Sequence, residues 1–147
     1  YQKNKYIPNK FINFSNSEDA KSLAYFHFFK PIIGLVSKNI EIDEGHYGID
    51  IVAEKNAGVK STLSGKVIFS EWTVETGYVI AIQHKNDLIS IYKHNSVLLK
   101  KEGSIVKAGE IIAIVGNSGE FTNGPHLHFE IWFKGSPLNP NKVINFK

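Results

Sequence analysis

Two histidines near the C-terminal end of the chain have a spacing that suits a functional site on a β-strand. The segment 124–132, Gly-Pro-His-Leu-His-Phe-Glu-Ile-Trp, alternates polar and apolar residues with the period of a half-buried strand. Because successive strand side chains point to opposite faces, His126 and His128 share one face, whereas Leu127 and Phe129 face the core. Two adjacent imidazoles can bind one metal ion, or divide the roles of ligand and proton carrier. The motif alone also fits two surface polar residues.

A second candidate group, His46 and Asp50, belongs to the segment Gly-His-Tyr-Gly-Ile-Asp-Ile. Gly48 and the β-branched neighbours favour an extended chain, in which positions 46, 48 and 50 share a face and Gly48 leaves room between the two side chains. Asp50 lies between isoleucines, where a carboxylate is costly unless it is paired, hydrogen-bonded or bound to a metal. The pair therefore predicts either metal ligands or a buried aspartate that accepts backbone hydrogen bonds.

A further candidate, His94, ends a predicted strand. Ile89 and Ile91 are predicted on one face of this strand, and Tyr92 and His94 on the other. A polar strand end is the alternative for His94 alone. Two histidines and one carboxylate make a typical catalytic zinc site with an open fourth position, and two histidines would remain for acid–base chemistry. The five residues available to one cleft are His46, Asp50, His94, His126 and His128.

The composition bounds the class of protein. With 147 residues, of which 42% are hydrophobic and 21% charged, the chain is long enough for one globular domain with a core. The 17 basic residues are scattered and the net charge is +3, so no nucleic-acid partner is predicted. The absence of cysteine excludes disulfides, zinc–thiolate sites and thiol catalysis. No apolar run approaches the roughly 20 residues of a membrane-spanning helix.

The chain divides into two predicted regions. Residues 1–30 form an N-terminal extension with one short helix, Asp19–Phe29, which follows a capping box at residues 15–18 and whose aromatic cluster is expected to dock on the main body. Residues 31–147 are predicted to be a mostly β domain with an antiparallel sheet, because short apolar runs alternate with turns. The predicted strands are Ile32–Ser37, Ile49–Ala53, Val59–Leu63, Gly65–Phe69, Tyr78–His84, Leu88–His94, Ile111–Val115 and His126–Phe133, with a closing strand or tail over Val143–Phe146.

Three separated motifs make the chain similar to the LytM/lysostaphin-type zinc metalloendopeptidases, which cut peptide bonds in bacterial peptidoglycan. The motifs are His-x-Gly-x-Asp at residues 46–50, Tyr-x-His at 92–94 and Gly-Pro-His-Leu-His-Phe-Glu at 124–130. The similarity runs from about Pro31 to about Asn141. Three motifs in the right order are far more specific than any one of them. The resemblance implies a twisted antiparallel sheet with a groove across it.

The resemblance also assigns roles. It implies one zinc ion per chain, with His46, Asp50 and His128 as the ligands. His94 and His126 become the unligated pair that activates water and stabilises the developing oxyanion. The implied activity is hydrolysis of peptide cross-links or stem peptides of peptidoglycan by a metal-activated water, with a histidine as general base.

Two further residues are given supporting roles. Tyr92 would support the oxyanion-stabilising function. Glu130 would either hold a ligand imidazole by its second nitrogen or face solvent. Departures from the family pattern occur at Asn56, Ser61 and Asn95, and the Phe-Gly-Arg pattern before the first motif is absent. They concern groove shape and substrate choice, because no chemical group of the site is lost.

Because the family acts on the cell wall, export to the periplasm or the cell surface of a bacterium is expected. The chain begins with tyrosine and contains no methionine, so we expect a processed or truncated product with any signal or anchor upstream. The N-terminal extension has no counterpart in the family, and one hypothesis is that it folds over the groove and restrains activity.

Two other functions remain as alternatives. A non-catalytic relative would bind the cell wall or activate another hydrolase, and such proteins usually lack one or more of the ligands. A carrier or phosphotransfer domain is suggested by the turn at residues 106–110, but neither needs the pair of His46 and Asp50.

Overall fold

The computed structural model describes residues 17–116 and 124–147. Ten strands in this part of the chain join in one sheet, in which neighbouring strands are antiparallel. The strands are β1 Gly34–Lys38, β2 Ile49–Ala53, β3 Gly58–Lys60, β4 Gly65–Thr73, β5 Gly77–Gln83, β6 Leu88–Leu98, β7 Ile105–Val106, β8 Ile111–Val115, β9 His126–Phe133 and β10 Ser136–Leu138. The predicted class, mostly β with an antiparallel sheet, is confirmed.

The order of the strands places the three motifs side by side. Across the sheet the order is β1-β2-β9-β6-β5-β4-β7, so the strands that carry Asp50, the His126–His128 pair and His94 are direct neighbours. The first part of β6, residues 88–93, pairs with β9. From Asn95 onward, β6 pairs with β8 instead. His94 therefore lies where β6 changes its partner.

Alternation within β2 and β9 determines which side chains are buried. Ile49 and Ile51 of β2, and Leu127 and Phe129 of β9, have no exposed surface and belong to one hydrophobic core. The polar residues between them must point to the other face of the sheet. Each buried side chain stabilises the fold by roughly 1.5–3 kcal/mol relative to exposure. The register is therefore firmly specified, because a slip of one residue would move the carboxylate and the imidazoles into the core.

The N-terminal helix α1, Ser17–Ala24, is shorter than predicted. It ends before the aromatic residues because the N–H of Phe26 donates to the Leu23 carbonyl at 3.2 Å and the chain then extends. In this extended form the N–H of Phe29 donates to the Thr62 carbonyl at 2.9 Å. The predicted continuation of the helix to residue 29 is wrong because strand-like pairing replaces it.

The aromatic cluster after α1 docks only in part. Phe28 is buried in the core and Phe26 packs against it. Tyr25, by contrast, is 69% exposed. The expectation of docking is therefore confirmed for Phe28 and wrong for Tyr25. Ser15, the first residue of the predicted capping box, lies outside the described residues.

Helix α1 lies at the end of the sheet opposite to the histidine pair. Lys134, which follows β9, forms an ion pair with Asp19 of α1 at 3.1 Å, and Leu23 joins the core. His126 begins β9, which spans eight residues, so at about 3.3 Å per residue the two ends of the strand are roughly 23 Å apart. The described part of the extension therefore packs away from the histidines. The domain boundary at residue 30 stays a prediction.

No helix within residues 17–116 and 124–147 combines the length and the hydropathy that crossing a membrane requires.

A chain of hydrogen bonds crosses the core beneath β5 and β6. The Thr62 N–H donates to the Tyr92 hydroxyl at 2.9 Å, and the Tyr92 and Ser90 hydroxyls lie 2.8 Å apart. The Ser90 hydroxyl lies 2.7 Å from Nε2 of His84, and Nδ1 of His84 lies 2.8 Å from the Ser64 carbonyl. Because a carbonyl only accepts, Nδ1 carries the proton, and in the neutral ring Nε2 accepts from the Ser90 hydroxyl. Burial of the ring favours this neutral form of His84.

Acidification is expected to destabilise the fold through this residue. Burial lowers the pKa of His84 below its ordinary value of 6.5, although the hydrogen bond to the Ser64 carbonyl raises it in part. At pH values between 6.5 and the lowered pKa, His84 is protonated in the unfolded chain but neutral in the folded chain. The free energy of unfolding therefore falls as the pH falls through this range. Urea unfolding of the wild type and of His84→Gln at pH 7.5 and pH 5 measures the effect. The stability advantage of the wild type should shrink at pH 5, and an equal difference at both pH values would contradict the expectation.

Candidate metal centre

Three candidate residues converge where β2 meets β9. Asp50 lies directly opposite His128 in the antiparallel register, and His46 belongs to the loop that leads into β2. One ligand atom from each of the three side chains lies within 4.8 Å of the other two. The centres of the His46 and His128 rings are 4.9 Å apart. The structure therefore gathers two imidazoles and one carboxylate at a single point on the polar face of the sheet.

The His46 ring is oriented by its own loop. Nδ1 of His46 lies 2.9 Å from the Asn39 carbonyl, so this nitrogen carries the proton and Nε2 has its lone pair free. Asn39 is held in turn by the Asn141 side chain, whose Nδ2 donates to Asn39 Oδ1 at 3.0 Å. The backbones of Glu41 and His46 also exchange two hydrogen bonds. These contacts turn Nε2 of His46 toward Asp50.

His128 lies between two carboxylates. Its Nδ1 is 2.8 Å from Oδ1 of Asp50, and its Nε2 is 2.7 Å from Oε2 of Glu130. Burial lowers the pKa of His128, but the hydrogen bonds and negative charges of the two carboxylates outweigh burial and raise it above 6.5. Burial raises the pKa of Asp50, and contact with His128 and His46 brings it below its ordinary value. The two carboxylates therefore favour a positive charge on or beside the His128 ring.

The residues fit a metal ion on the geometry of His46. Its Nε2 atom is buried without a hydrogen-bond partner, although Oδ2 of Asp50 lies 3.3 Å away. Two atoms that both offer lone pairs at this distance need a positive charge between them. Two imidazole nitrogens and one carboxylate oxygen are the ligand types of a catalytic zinc site that leaves one position open. His46, Asp50 and His128 can thus hold a divalent metal.

Gly48 is required by the close approach of β2 and β9. A Cβ atom at this position would lie 2.3 Å from the carbonyl oxygen of Phe129 and 2.6 Å from Cγ of Glu130. Because backbone cannot retreat from such a contact, any side chain here would push the two strands apart. The glycine of the first motif therefore keeps Asp50 within reach of His128.

The two remaining histidines lie beside this cluster. The ring of His94 is centred 5.7 Å from that of His126 and 6.2 Å from that of His128. Burial, and then the charges of His128 and His126, lower the pKa of His94 below 6.5, so its imidazole is neutral at neutral pH. A neutral imidazole can donate from one nitrogen and accept at the other. The pair can therefore move a proton and hold a negative oxygen near the cluster.

His94 reaches this face through a backbone irregularity. Its φ is +69°, a left-handed conformation, and its N–H donates to the Thr76 carbonyl at 3.0 Å. Gly116 packs against the same point, since a Cβ there would lie 2.1 Å from the His94 carbonyl oxygen. The irregularity turns the His94 side chain to the face that carries Lys93 rather than to the opposite one. It coincides with the change of strand partner within β6.

The prediction that Tyr92 and His94 share a face is wrong. Tyr92 is fully buried on the core side, where its hydroxyl contacts Ser90 and the Thr62 N–H. Burial raises the pKa of Tyr92 to about 12. The left-handed residue at 94 breaks the period of two on which the prediction relied. Tyr92 therefore lies on the core side of the sheet, and its supporting role stays a prediction.

Glu130 is held by three donors. Oε2 accepts from Lys93 at 3.0 Å as well as from His128, and Oε1 accepts from the Trp132 indole N–H at 2.8 Å. Although burial raises the pKa of Glu130, the hydrogen bond from His128 and the Lys93 charge lower it to about 2. Glu130 is buried and contacts Nε2 of His128 rather than solvent, and its supporting role stays a prediction. Lys93 and Trp132 were missed, although Trp132 shares the even-numbered face of His126, His128 and Glu130.

Known proteins share this sequence pattern. Residues 44–140 match the family model of Peptidase family M23. Murein hydrolase activator NlpD of Salmonella dublin is 38% identical over 116 residues, which cover 78% of this chain and 30% of that protein. The DD-carboxypeptidase/endopeptidase Mpg of Neisseria meningitidis serogroup B is 37% identical over 98 residues, which cover 67% of this chain and 22% of that protein. The chain therefore spans less than a third of the length of these relatives.

Solved structures share the fold as well. Csd3 of Helicobacter pylori superposes with a TM-score of 0.71 at 32% identity, over 82% of this chain and 33% of that one. Lysostaphin from Staphylococcus simulans superposes with a TM-score of 0.64 at 28% identity, over 74% of this chain and 48% of that one. A zinc-containing peptidase from Vibrio cholerae superposes with a TM-score of 0.61 at 32% identity, over 78% of this chain and 37% of that one. With its motifs, its sheet and most of its length in agreement with these proteins, the chain belongs to peptidase family M23, the LytM/lysostaphin type predicted from its motifs.

Proposed function

We propose that this protein is a zinc-dependent endopeptidase that hydrolyses peptide cross-links of bacterial peptidoglycan. The observation that carries the proposal is the convergence of three ligand atoms within 4.8 Å of one another, from His46, Asp50 and His128. The imidazoles of His94 and His126 lie next to this cluster. Side chains of these types can hold a metal and transfer protons during the hydrolysis of an amide, which supports the proposal.

One zinc ion per chain would be held by Nε2 of His46, a carboxylate oxygen of Asp50 and Nδ1 of His128. Bound there, the metal would supply the Lewis acidity that makes water a nucleophile at neutral pH. The contribution of the protein is orientation. Asn39 turns His46 toward Asp50, and Glu130 holds the far nitrogen of His128, so that each ligand presents one chosen atom.

The unligated histidines divide the acid–base work. His126 accepts the proton of the attacking water and later gives it to the amine that leaves. His94, neutral because of its lowered pKa, donates its N–H to the oxygen that becomes negative during attack. Glu130 remains a carboxylate throughout, since its pKa is about 2.

The names of the relatives support a proposal for the substrate and the location. Mpg is named as a DD-carboxypeptidase/endopeptidase and NlpD as a murein hydrolase activator, and both names point to the peptidoglycan layer. We therefore propose a peptidoglycan stem peptide or cross-bridge as substrate, and export to the periplasm or the cell surface. A nucleic-acid partner is not proposed.

A non-catalytic hydrolase activator is the second candidate, favoured by the similarity to NlpD. Such a protein has no need of a complete ligand set or of a proton carrier. Two features favour the enzyme. All five groups are present, and the buried Nε2 of His46 has no hydrogen-bond partner, which is destabilising unless a ligand binds to it.

Digestion of purified peptidoglycan separates the two candidates. Zinc-loaded protein should release muropeptides with newly cleaved peptide bonds, identified by mass spectrometry, and a chelator should stop the release. Zinc-loaded protein that releases nothing alone, but accelerates a second cell-wall hydrolase, would support the activator and contradict the enzyme.

A further inference from the structure

We propose that Lys93 and Trp132 are positioning residues of the metal centre, which hold Glu130 against His128 and so keep Nδ1 of His128 directed at His46 and Asp50. The inference rests on the proposed function and deepens it, because it identifies what makes one edge of the His128 ring face the metal. Lys93, Glu130 and Trp132 are called the Glu130 cluster below. Trp132 lies outside the three motifs that suggested the family, and Lys93 occupies only the variable position of Tyr-x-His.

An imidazole ring needs such a partner to present the correct nitrogen. The χ2 torsion of histidine is broad and roughly two-fold, so the ring can turn over and exchange its two edges at little cost. In His128 one edge, with Nε2, contacts Glu130 at 2.7 Å, and the other, with Nδ1, faces Asp50. A carboxylate fixed next to Nε2 therefore selects the orientation in which Nδ1 is the ligand.

Glu130 can do this only if it is itself fixed. Its side chain is 5% exposed, and a buried carboxylate is stable only when its oxygens are paired. The ammonium of Lys93 and the indole N–H of Trp132 contact different oxygens, Oε2 at 3.0 Å and Oε1 at 2.8 Å. Two donors on two oxygens stop the carboxylate from rotating about its terminal torsion. The third contact, to His128, then has one available geometry.

The sheet register brings Lys93 to this position. Lys93 of β6 lies opposite His128 of β9, and Glu130 is the next residue of β9 on the same face. A long side chain reaches such a diagonal neighbour across a strand pair. The Lys93 side chain is 26% exposed, and its ammonium supplies the positive charge that the buried carboxylate needs.

Trp132 connects the two halves of the centre. Its indole N–H binds Glu130, and its ring lies 5.7 Å from the ring of Tyr47, the residue next to His46. One side chain thus contacts both the partner of His128 and the neighbour of His46. Loss of the indole N–H should loosen Glu130, whereas loss of the whole ring should also loosen the His46 loop.

The sign of the Lys93 effect separates positioning from simple electrostatics. A lysine near a divalent cation repels it, so removal of the positive charge alone would strengthen zinc binding. If Lys93 acts by holding Glu130, its removal weakens zinc binding. The two explanations therefore predict opposite changes for the same substitution.

The test is zinc affinity, measured by competition with a fluorescent chelator on purified protein. Lys93→Met and Trp132→Phe should each weaken zinc binding by about tenfold, the lower limit of the effect typical of residues that hold a metal ligand in place. Lys66→Met and Trp72→Phe, which change a lysine and a tryptophan on the exposed part of β4, should leave the affinity unchanged. Lys93→Arg keeps a charged donor and should restore most of the lost affinity. Thermal unfolding of each metal-free variant identifies any that lose zinc through unfolding.

A double variant checks that Lys93 acts through Glu130. Lys93→Met in the Glu130→Gln background should weaken zinc binding little beyond Glu130→Gln alone, because residues that share one contact are not additive. Wild-type protein that binds zinc while Lys93→Met and Trp132→Phe bind it equally well would overturn the positioning roles and leave the proposed function intact. Wild-type protein that binds no zinc would overturn the proposed function and the inference with it.

Discussion

Replacement of Asp50 by alanine should remove the bound zinc and abolish the hydrolysis of peptidoglycan. The carboxylate is the one anionic ligand of the proposed set, and it lies 2.8 Å from His128 and 3.3 Å from His46. Without it, two neutral imidazoles would have to bind a doubly charged ion alone. Metal analysis after dialysis should therefore fall from one zinc per chain to near zero, and the same result is expected for His46→Ala and His128→Ala.

A matched control lies in the adjacent turn. Asp43 belongs to the 3₁₀ turn Ile42–Glu44 and is exposed. Asp43→Ala removes a carboxylate of the same type close to the site and should keep both zinc and activity. One full equivalent of zinc in His128→Ala would show that the ligand assignment is wrong, whatever the activity of that variant.

Replacement of His94 or His126 by alanine should also abolish turnover, but with the zinc retained. Neither side chain belongs to the group of ligand atoms within 4.8 Å, although both rings lie beside it. Removal of a donor to a developing oxyanion costs about a hundredfold to a thousandfold in rate. Loss of a general base costs about a hundredfold to ten-thousandfold. The measurement is kcat on a cross-linked muropeptide, beside the zinc content of the same preparation.

Both substitutions should act mainly on kcat and little on KM. Because both groups act during the reaction, kcat should fall far more than KM rises. His27→Ala serves as the control, since His27 is an exposed histidine whose ring packs edge-on against Phe29, away from the cluster. Turnover within a factor of a few of the wild type in His126→Ala would contradict the role of His126 as general base.

Local alternation was sufficient to predict most of the sheet. Strands β2, β8 and β9 begin and end at the residues expected from the sequence. In β2 and β9 apolar core residues alternate with the polar residues Asp50, His126, His128 and Glu130, so the period of two in the side chains appears as a period of two in hydrophobicity. Strand β8 is apolar throughout, and its prediction relied on an apolar run that follows a turn. The same reasoning placed Asp50 and the His126–His128 pair on the face opposite to the core, and the structure has them there. Their roles as ligands and proton carriers stay predictions.

Local alternation failed in β6. The strand continues to Leu98, beyond its predicted end, and His94 within it has a positive φ. This conformation depends on the Thr76 carbonyl and on the close approach of Gly116, both distant in sequence from His94. A count of alternating residues has no access to such contacts, and it therefore assigned Tyr92 to the wrong face.

The contacts between strands show the same limit. The alternating pattern of β9 is enough to place Glu130 and Trp132 on the face of the histidines, but it contains no sign that Lys93 reaches Glu130 at 3.0 Å. That contact exists because β6 and β9 pair in one register, and this register results from packing the whole core. The buried faces of β2 and β9 could therefore be predicted from the order of their residues. Which side chains meet across the sheet depended on the folded chain, because the partners come from segments that are far apart in the sequence.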